Sequence, residues 1–120
     1  MKQYHAHRLM FGTDVMVFDS STRKGWRLRR SVYLADQATT GFDWGDRSEG
    51  AAQLALALLA DYLEDDDRAI RLHELFAAAV IAHLPFKEWK LTGSQIDAAL
   101  TILEADRAEE QALAADEVPA

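Results

Sequence analysis

Two histidines near the start of the chain have the spacing of a metal-binding pair. His5 and His7 are two residues apart, so in a β-strand both imidazoles point to the same face. A zinc site needs at least one further protein ligand, and the chain has no cysteine and no His-x-x-x-His or Glu-x-x-His motif. We therefore interpret both histidines as surface residues of a strand and predict no metal or cofactor. Metal binding by the pair stays open.

A basic segment with interleaved aromatic residues is a candidate site for nucleic acid. Cationic side chains that hold phosphates and rings that stack on bases together bind single strands. The residues of this set are Arg23, Lys24, Trp26, Arg27, Arg29 and Tyr33. The other interpretation is a solvated strand face, which we favour because the net charge of the chain, −7, opposes phosphate binding.

The acidic charge is concentrated in the rest of the chain. Residues 1–35 contain seven basic and two acidic residues, whereas residues 36–120 contain six basic and eighteen acidic ones. Carboxylates presented by helices can complement a basic groove on a partner protein and speed association with it. The candidate contacts for such a partner are Asp61, Glu64, Asp65, Asp66 and Asp67, together with Arg27 and Arg29.

Motifs that carry catalysis are missing from the sequence. It contains no phosphate-binding glycine-rich loop, no dinucleotide-binding fingerprint and no Gly-x-Ser-x-Gly. The acidic run at 64–67 lacks the alternating carboxylates of a calcium loop, so a helix cap is the favoured interpretation. We therefore predict a protein that is not an enzyme and has no catalytic residues.

Strands are the first elements that must position these residues. Apolar and alternating runs predict strands over 4–10 and 15–18, joined as a hairpin by a connection that contains Gly12. A third strand is predicted over 26–34. Its core-facing residues are Trp26, Leu28, Val32 and Leu34, with Arg27, Arg29 and Tyr33 on the opposite face.

Three helices follow in the second half of the chain. Ser48 is predicted to cap a helix over 49–63 that is apolar almost all round and therefore buried. A second helix is expected over 68–84. A third begins after Thr92-Gly93-Ser94-Gln95, which matches a capping box. A short strand or an extended link over 86–91 separates the last two helices.

The order β-β-β-α-α-(β)-α predicts an α+β domain, with a small antiparallel sheet packed against three helices. We place this domain at 1–106 and predict a disordered acidic tail over 107–120. Phe42 and Trp44, in a glycine-containing loop, are expected to pack on the core. The start of the chain lacks the apolar segment of a signal peptide, and no apolar run approaches the ~20 residues of a membrane span. We therefore expect a soluble cytoplasmic protein.

The chain resembles a family of small uncharacterised domains found in bacteria, archaea and their phages. The resemblance rests on Thr40-Gly41-Phe42-Asp43-Trp44-Gly45 and on Ala52–Leu59, with further matches at Tyr4-His5 and Trp89–Gly93. It spans most of residues 4–103. The resemblance implies a shared fold and a phage or mobile-element setting, and it brings no activity and no catalytic residues.

These observations lead to an expectation about function. Small size, dense acidic charge and the resemblance favour a non-enzymatic accessory protein that binds another protein. Its specific form would be an inhibitor of a bacterial nucleic-acid-binding defence complex, of the anti-CRISPR type. A nucleic-acid-binding module that uses the basic segment over 23–30 is the alternative. The oligomeric state stays open.

Overall fold

A computed structural model of the protein describes residues 1–29 and 41–116, with the backbone alone over 107–116. The strands are β1 (Lys2–Arg8), β2 (Thr13–Asp19), β3 (Lys24–Arg27) and β4 (Glu88–Thr92). The helices are α1 (Glu49–Leu63), α2 (Asp66–Ala79) and α3 (Gly93–Asp116), with a short 3-10 turn at Ile81–His83. The α+β class and the predicted order of elements are confirmed.

The four strands form one antiparallel sheet in the order β3-β2-β1-β4. Alternate side chains point to opposite faces of a sheet, and one face of this sheet packs against the helices. The core-facing residues are Tyr4, Ala6, Val15, Val17, Trp89 and Leu91. β4, which the sequence leaves as a strand or a link, is a strand that pairs with β1.

The third strand is shorter than predicted within the described residues. It begins at Lys24, two residues before the expected start, and ends at Arg27. Leu28 is buried and its N–H donates to the carbonyl of Val15 at 2.9 Å, so the predicted core face is correct at this position. Val32, Tyr33 and Leu34 lie outside the described residues.

Helix α1 lies at the centre of the domain and has the predicted bounds. The side chain of Ser48 accepts a hydrogen bond from the N–H of Ala51 at 3.3 Å, which is the predicted cap. Of the residues between Gly50 and Ala60, only Ala52 is not buried. Because so little of the helix surface meets water, the nearly continuous apolar run is explained by burial on all sides.

Helix α2 does not have the predicted bounds of 68–84. It begins at Asp66 because the side chain of Asp65 caps it, accepting from the N–H of Arg68 at 3.1 Å. It ends at Ala79, and the chain reaches Leu84 through the 3-10 turn. Leu84 is extended, with ψ 146°, as expected of a residue that precedes a proline.

Helix α3 begins with the predicted capping box. The N–H of Gln95 donates to Oγ1 of Thr92 at 3.2 Å, and Oε1 of Gln95 accepts from the N–H of Thr92 at 2.9 Å. Ile96 and Leu100 are buried on its predicted apolar face. The helix runs to Asp116. The division into a domain over 1–106 and a disordered tail over 107–120 stays a prediction.

A phenol–carboxylate contact joins the end of α1 to the start of α3. The hydroxyl of Tyr62 donates to Oδ2 of Asp97 at 2.6 Å. Gly93 lies against the same ring, because a Cβ there would be 2.7 Å from Cε1 of Tyr62. Desolvation, the largest cause, and the hydrogen bond to Asp97, the next, raise the pKa of Tyr62 from its ordinary 10.0 to about 12.

This contact predicts a loss of stability at high pH. The phenol of Tyr62 binds its proton more tightly in the folded chain than in the unfolded chain. Its contribution is therefore complete below pH 10.0 and is lost as the pH rises through about 12. We expect the difference in the free energy of unfolding between the wild type and Tyr62→Phe to shrink over this range. A difference that stays constant would contradict the assignment.

Candidate functional site

A cleft with a volume of about 600 Å³ opens between the β3 edge of the sheet and the C-terminal part of α1. Its lining residues come from both elements and from the strand ends beside them. The polar lining consists of Lys2, Asp19, Thr22, Lys24, Arg27, Arg29, Asp61 and Glu64. The apolar lining consists of Trp26, Leu28, Ala57 and Ala60. The cleft therefore brings members of the predicted basic and acidic sets to one place.

Asp61 is the most heavily bonded side chain of the cleft. Its Oδ2 accepts from the hydroxyl of Tyr4 at 2.7 Å, and Nζ of Lys2 lies 3.4 Å from the same oxygen. Its Oδ1 accepts from the indole N–H of Trp26 at 3.3 Å. We call these four residues the Asp61 cluster. It ties β1 and β3 to α1 with a single carboxylate.

The chemistry of the Asp61 cluster is structural. Desolvation, followed by the hydrogen bond to Asp61, raises the pKa of the Tyr4 phenol above its ordinary value, so this hydroxyl stays protonated. An activated nucleophile or a poised base needs a pKa close to the working pH. The ammonium group of Lys2 also donates to the backbone carbonyl of Asp61 at 2.8 Å, so it has two interactions with this residue. The cluster is thus suited to shaping a binding surface.

Some of the predicted acidic contacts have structural roles within the domain, and the others are exposed without such a role being seen in their contacts with the described residues. Asp61 belongs to the cluster, and its side chain is 19 % exposed. Asp65 caps α2. Glu64, which follows α1 and has a left-handed backbone with φ 53°, is exposed, as are Asp66 and Asp67 in the first turn of α2. Asp65 is exposed as well but acts as the cap, so we group the other three exposed carboxylates and call them the acidic turn.

The predicted basic set does not form one platform. Trp26 faces the helices and belongs to the Asp61 cluster, whereas the side chain of Arg27 is 82 % exposed, with Nε 3.7 Å from Oδ1 of Asp14. Both residues still border the cleft because β3 is an edge strand. Lys24 and Arg29 are exposed at its rim. Arg23 lies in the preceding turn with φ 58°, and Tyr33 lies outside the described residues.

His5 and His7 lie on the sheet face away from the helices and are exposed, as predicted. His7 stands opposite Asp14 on one side and Glu88 on the other, with its Nε2 3.8 Å from Oδ2 of Asp14. Among the described residues there is no group of three or more His, Asp or Glu side chains that could hold a metal ion. Metal binding by the two histidines has no further support.

Arg8 forms a second polar cluster at the opposite end of β1. Its Nη2 donates to Oδ1 of Asp43 at 2.7 Å and to the carbonyl of Trp44 at 3.1 Å, and its Nε donates to the carbonyl of Phe86 at 2.7 Å. The guanidinium also lies 4.7 Å from the ring centroid of Trp44 and 4.0 Å from that of Phe86. We call these four residues the Arg8 cluster.

The Arg8 cluster explains the motif around Trp44. The indole of Trp44 is 1 % exposed, donates to the carbonyl of Phe86 at 2.9 Å and packs edge-on against Trp89. Gly45 has φ 79°, which favours glycine, and its N–H donates to the carbonyl of Ile81 at 2.9 Å. A Cβ at Gly50 would be 2.7 Å from Cβ of Asp43, so α1 needs glycine there. The motif is therefore structural, as predicted for Trp44.

The β1–β2 hairpin ends in three consecutive apolar residues that were not predicted as a site. Leu9 is 50 % exposed, Met10 90 % and Phe11 89 %. We call these three residues the apolar tip. The turn closes through a hydrogen bond from the N–H of Leu9 to the carbonyl of Gly12 at 2.9 Å. The available sequence signal was an apolar run placed beside the turn glycine, where polar residues are usual.

Removing the charge of Asp61 tests the structural role of its cluster. Asp61→Asn keeps the shape of the side chain but cannot pair with the ammonium of Lys2 while accepting from both Tyr4 and Trp26, so we expect it to lower the free energy of unfolding by about 1–3 kcal/mol. The matched control is Glu64→Gln, an exposed carboxylate of the same cleft, which should stay within about 0.5 kcal/mol. Chemical denaturation measures both changes. Equal effects in the two variants would contradict the assignment.

Replacing Trp44 or Phe11 by alanine tests which of these two aromatic side chains belongs to the core and which to the surface. Trp44→Ala should lower the free energy of unfolding by about 3–5 kcal/mol because the ring is buried against Trp89. Phe11→Ala should change it by less than about 0.5 kcal/mol because the ring meets solvent. A large loss for Phe11→Ala would show that the tip serves folding.

Helices that could cross a bilayer are not found in the described part of the chain. Comparison with curated proteins and with solved structures gives no match to this sequence. One family model does match, and it covers residues 4–102, from Tyr4 within β1 to the first part of α3. It is described as a family of unknown function, DUF6166. The chain belongs to this family.

Proposed function

We propose that this protein is a non-enzymatic binding protein that recognises another protein through the apolar tip of its β1–β2 hairpin. The observation that carries the proposal is the exposure of Met10 and Phe11, 90 % and 89 %, next to a half-exposed Leu9. Scattered apolar residues are normal on a surface, but contiguous ones mark interaction sites. Aromatic and Met residues are also enriched in protein–protein interfaces.

The base of the hairpin is held in place before any partner arrives. On β1 the guanidinium of Arg8 is bonded to Asp43, Trp44 and Phe86. The backbone N–H of Arg8 donates to the carbonyl of Lys87 at 2.8 Å. On β2 the hydroxyl of Thr13 donates to the carbonyl of Phe42 at 2.9 Å. A fixed base reduces the entropy lost when the tip is bound. The exposed tip is thus presented by a rigid support.

The specific form that we propose is an inhibitor of a bacterial nucleic-acid-binding defence complex, of the anti-CRISPR type. The support is electrostatic. The chain has a net charge of −7, and the acidic turn presents Glu64, Asp66 and Asp67 to solvent. A groove that binds nucleic acid is basic, so these carboxylates would speed association with it and favour it over neutral surfaces. Apolar contacts made by the tip would then slow the dissociation of the complex.

The experiment is affinity capture from a bacterial lysate, with and without nuclease treatment, followed by mass spectrometry of the retained proteins. We compare the wild type with Met10→Ser/Phe11→Ser. The matched control is Ile102→Ser, because Ile102 is an exposed apolar residue on α3, with 62 % exposure. A protein complex retained by the wild type and the control but lost from the tip variant is the expected result.

Two outcomes would contradict this proposal. A tip variant that retains the same proteins as the wild type would remove the apolar tip from the binding surface. Retention that disappears with nuclease would show that nucleic acid had bridged the contact. Replacement of the acidic turn by Glu64→Gln/Asp66→Asn/Asp67→Asn tests the specific form, because it should slow association with a basic complex and reduce its salt dependence.

A further inference from the structure

The lining of the cleft separates positive and negative charge. Lys24 and Arg29 are exposed on the β3 side, and Glu64 is exposed at the end of α1. Three charges of the lining are more enclosed and are paired: Lys2 with Asp61 in the Asp61 cluster, and Asp19 with the N-terminal ammonium of Met1 at 3.6 Å. Arg27, the remaining cation of the lining, lies 3.7 Å from Asp14. A ligand entering the cleft would therefore meet the exposed cationic side chains of Lys24 and Arg29 on one side and the carboxylate of Glu64 on the other.

A fixed aromatic ring forms part of the same lining. Trp26 is half-buried, and its indole N–H is bonded to Oδ1 of Asp61 at 3.3 Å. Nζ of Lys2 lies 5.5 Å from the centroid of this ring, and this cation–π contact is a second interaction that fixes the ring. Ala57 and Ala60 of α1 line the cleft as well, and their small side chains leave room beside the ring. Such a ring can take a planar ligand at little cost in conformational entropy.

The size of the cleft exceeds what a simple ion requires. Its volume of about 600 Å³ lies within the range of roughly 300–1,000 Å³ that is typical of sites for small organic ligands. An anion held only by Lys24 and Arg29 would leave the region beside Trp26 and the Ala57 side of the lining empty. The combination of charge, ring and volume therefore favours a ligand with both an anionic and a planar part.

We propose that the cleft binds a nucleotide, either free or as one unit of a single-stranded nucleic acid. Lys24 and Arg29 contact the phosphate groups, and the base lies against Trp26. Glu64 accepts a hydrogen bond from a ribose hydroxyl or from an exocyclic amine of the base. This inference uses no residue of the apolar tip, so it goes beyond the protein-binding function and stands apart from it.

Tryptophan fluorescence follows binding directly. The chain has three tryptophans, of which Trp44 and Trp89 are buried near Arg8 and only Trp26 lines the cleft. The ligands for titration at low salt are ribonucleoside mono- and triphosphates, a short mixed-sequence single-stranded DNA, the matching RNA, and inorganic pyrophosphate. We expect saturable quenching by nucleotides or oligonucleotides. Saturation by free nucleotides identifies a small-molecule site, and saturation by oligonucleotides alone identifies a single-strand site.

The variants address the phosphate side of the cleft. Lys24→Ala/Arg29→Ala should weaken binding by about tenfold or more, with an unchanged melting temperature because both side chains are exposed. The control is Arg47→Ala/Lys90→Ala, which removes the same charge from exposed positions outside the lining and should change affinity by less than about twofold. Nucleotide and oligonucleotide titrations that all fail to saturate would overturn the proposal. Pyrophosphate binding as tight as that of the nucleotides, or an equal loss in the control, would also overturn it.

Discussion

The guanidinium of Arg8 is the contact on which the hairpin end of the molecule depends. One side chain donates to the loop around Trp44 and to the carbonyl of Phe86, and lies close to both of their rings. Arginine suits this position because its planar fork can donate in several directions while its faces stack on aromatic rings. Without it, the carbonyls of Trp44 and Phe86 would lose a charged donor at the edge of the core. The hairpin, the loop and the link before β4 are therefore fixed as one unit.

Asp61 has the corresponding role at the other end of β1. It gathers an ammonium, a phenol and an indole from Lys2, Tyr4 and Trp26 onto one carboxylate of α1. In both clusters a charged group is satisfied by partners within the chain, and neither leaves a reactive atom poised for chemistry. Each cluster instead fixes a surface. The Arg8 cluster fixes the hairpin that presents the apolar tip, and the Asp61 cluster fixes a cleft with an aromatic lining. Because both clusters shape surfaces and neither holds a reactive group, they support binding over catalysis as the proposed role.

Local signals in the sequence predicted the bounds of α1 and the start of α3, because capping and periodicity depend on residues a few positions apart. Ser48 and the Thr92–Gln95 box were correct for this reason. The pairing of β4 with β1 joins residues more than 80 positions apart, and no local pattern encodes such a register. The same limit applies to Asp61, which looked like a member of an acidic surface and is instead a partner of Tyr4. The apolar tip was missed because an apolar run in a strand is normally read as core.

Amide hydrogen exchange of Arg8→Lys compared with the wild type is the most direct test of the claim that Arg8 fixes the end of the molecule that presents the apolar tip. Lysine keeps the charge but lacks the fork and the stacking plane. The account predicts that the amides of Leu9, Trp44 and Gly45 lose protection together, while those around Asp61 keep theirs. Loss of protection limited to the immediate neighbours of Arg8 in the sequence, with Trp44 and Gly45 unchanged, would contradict it.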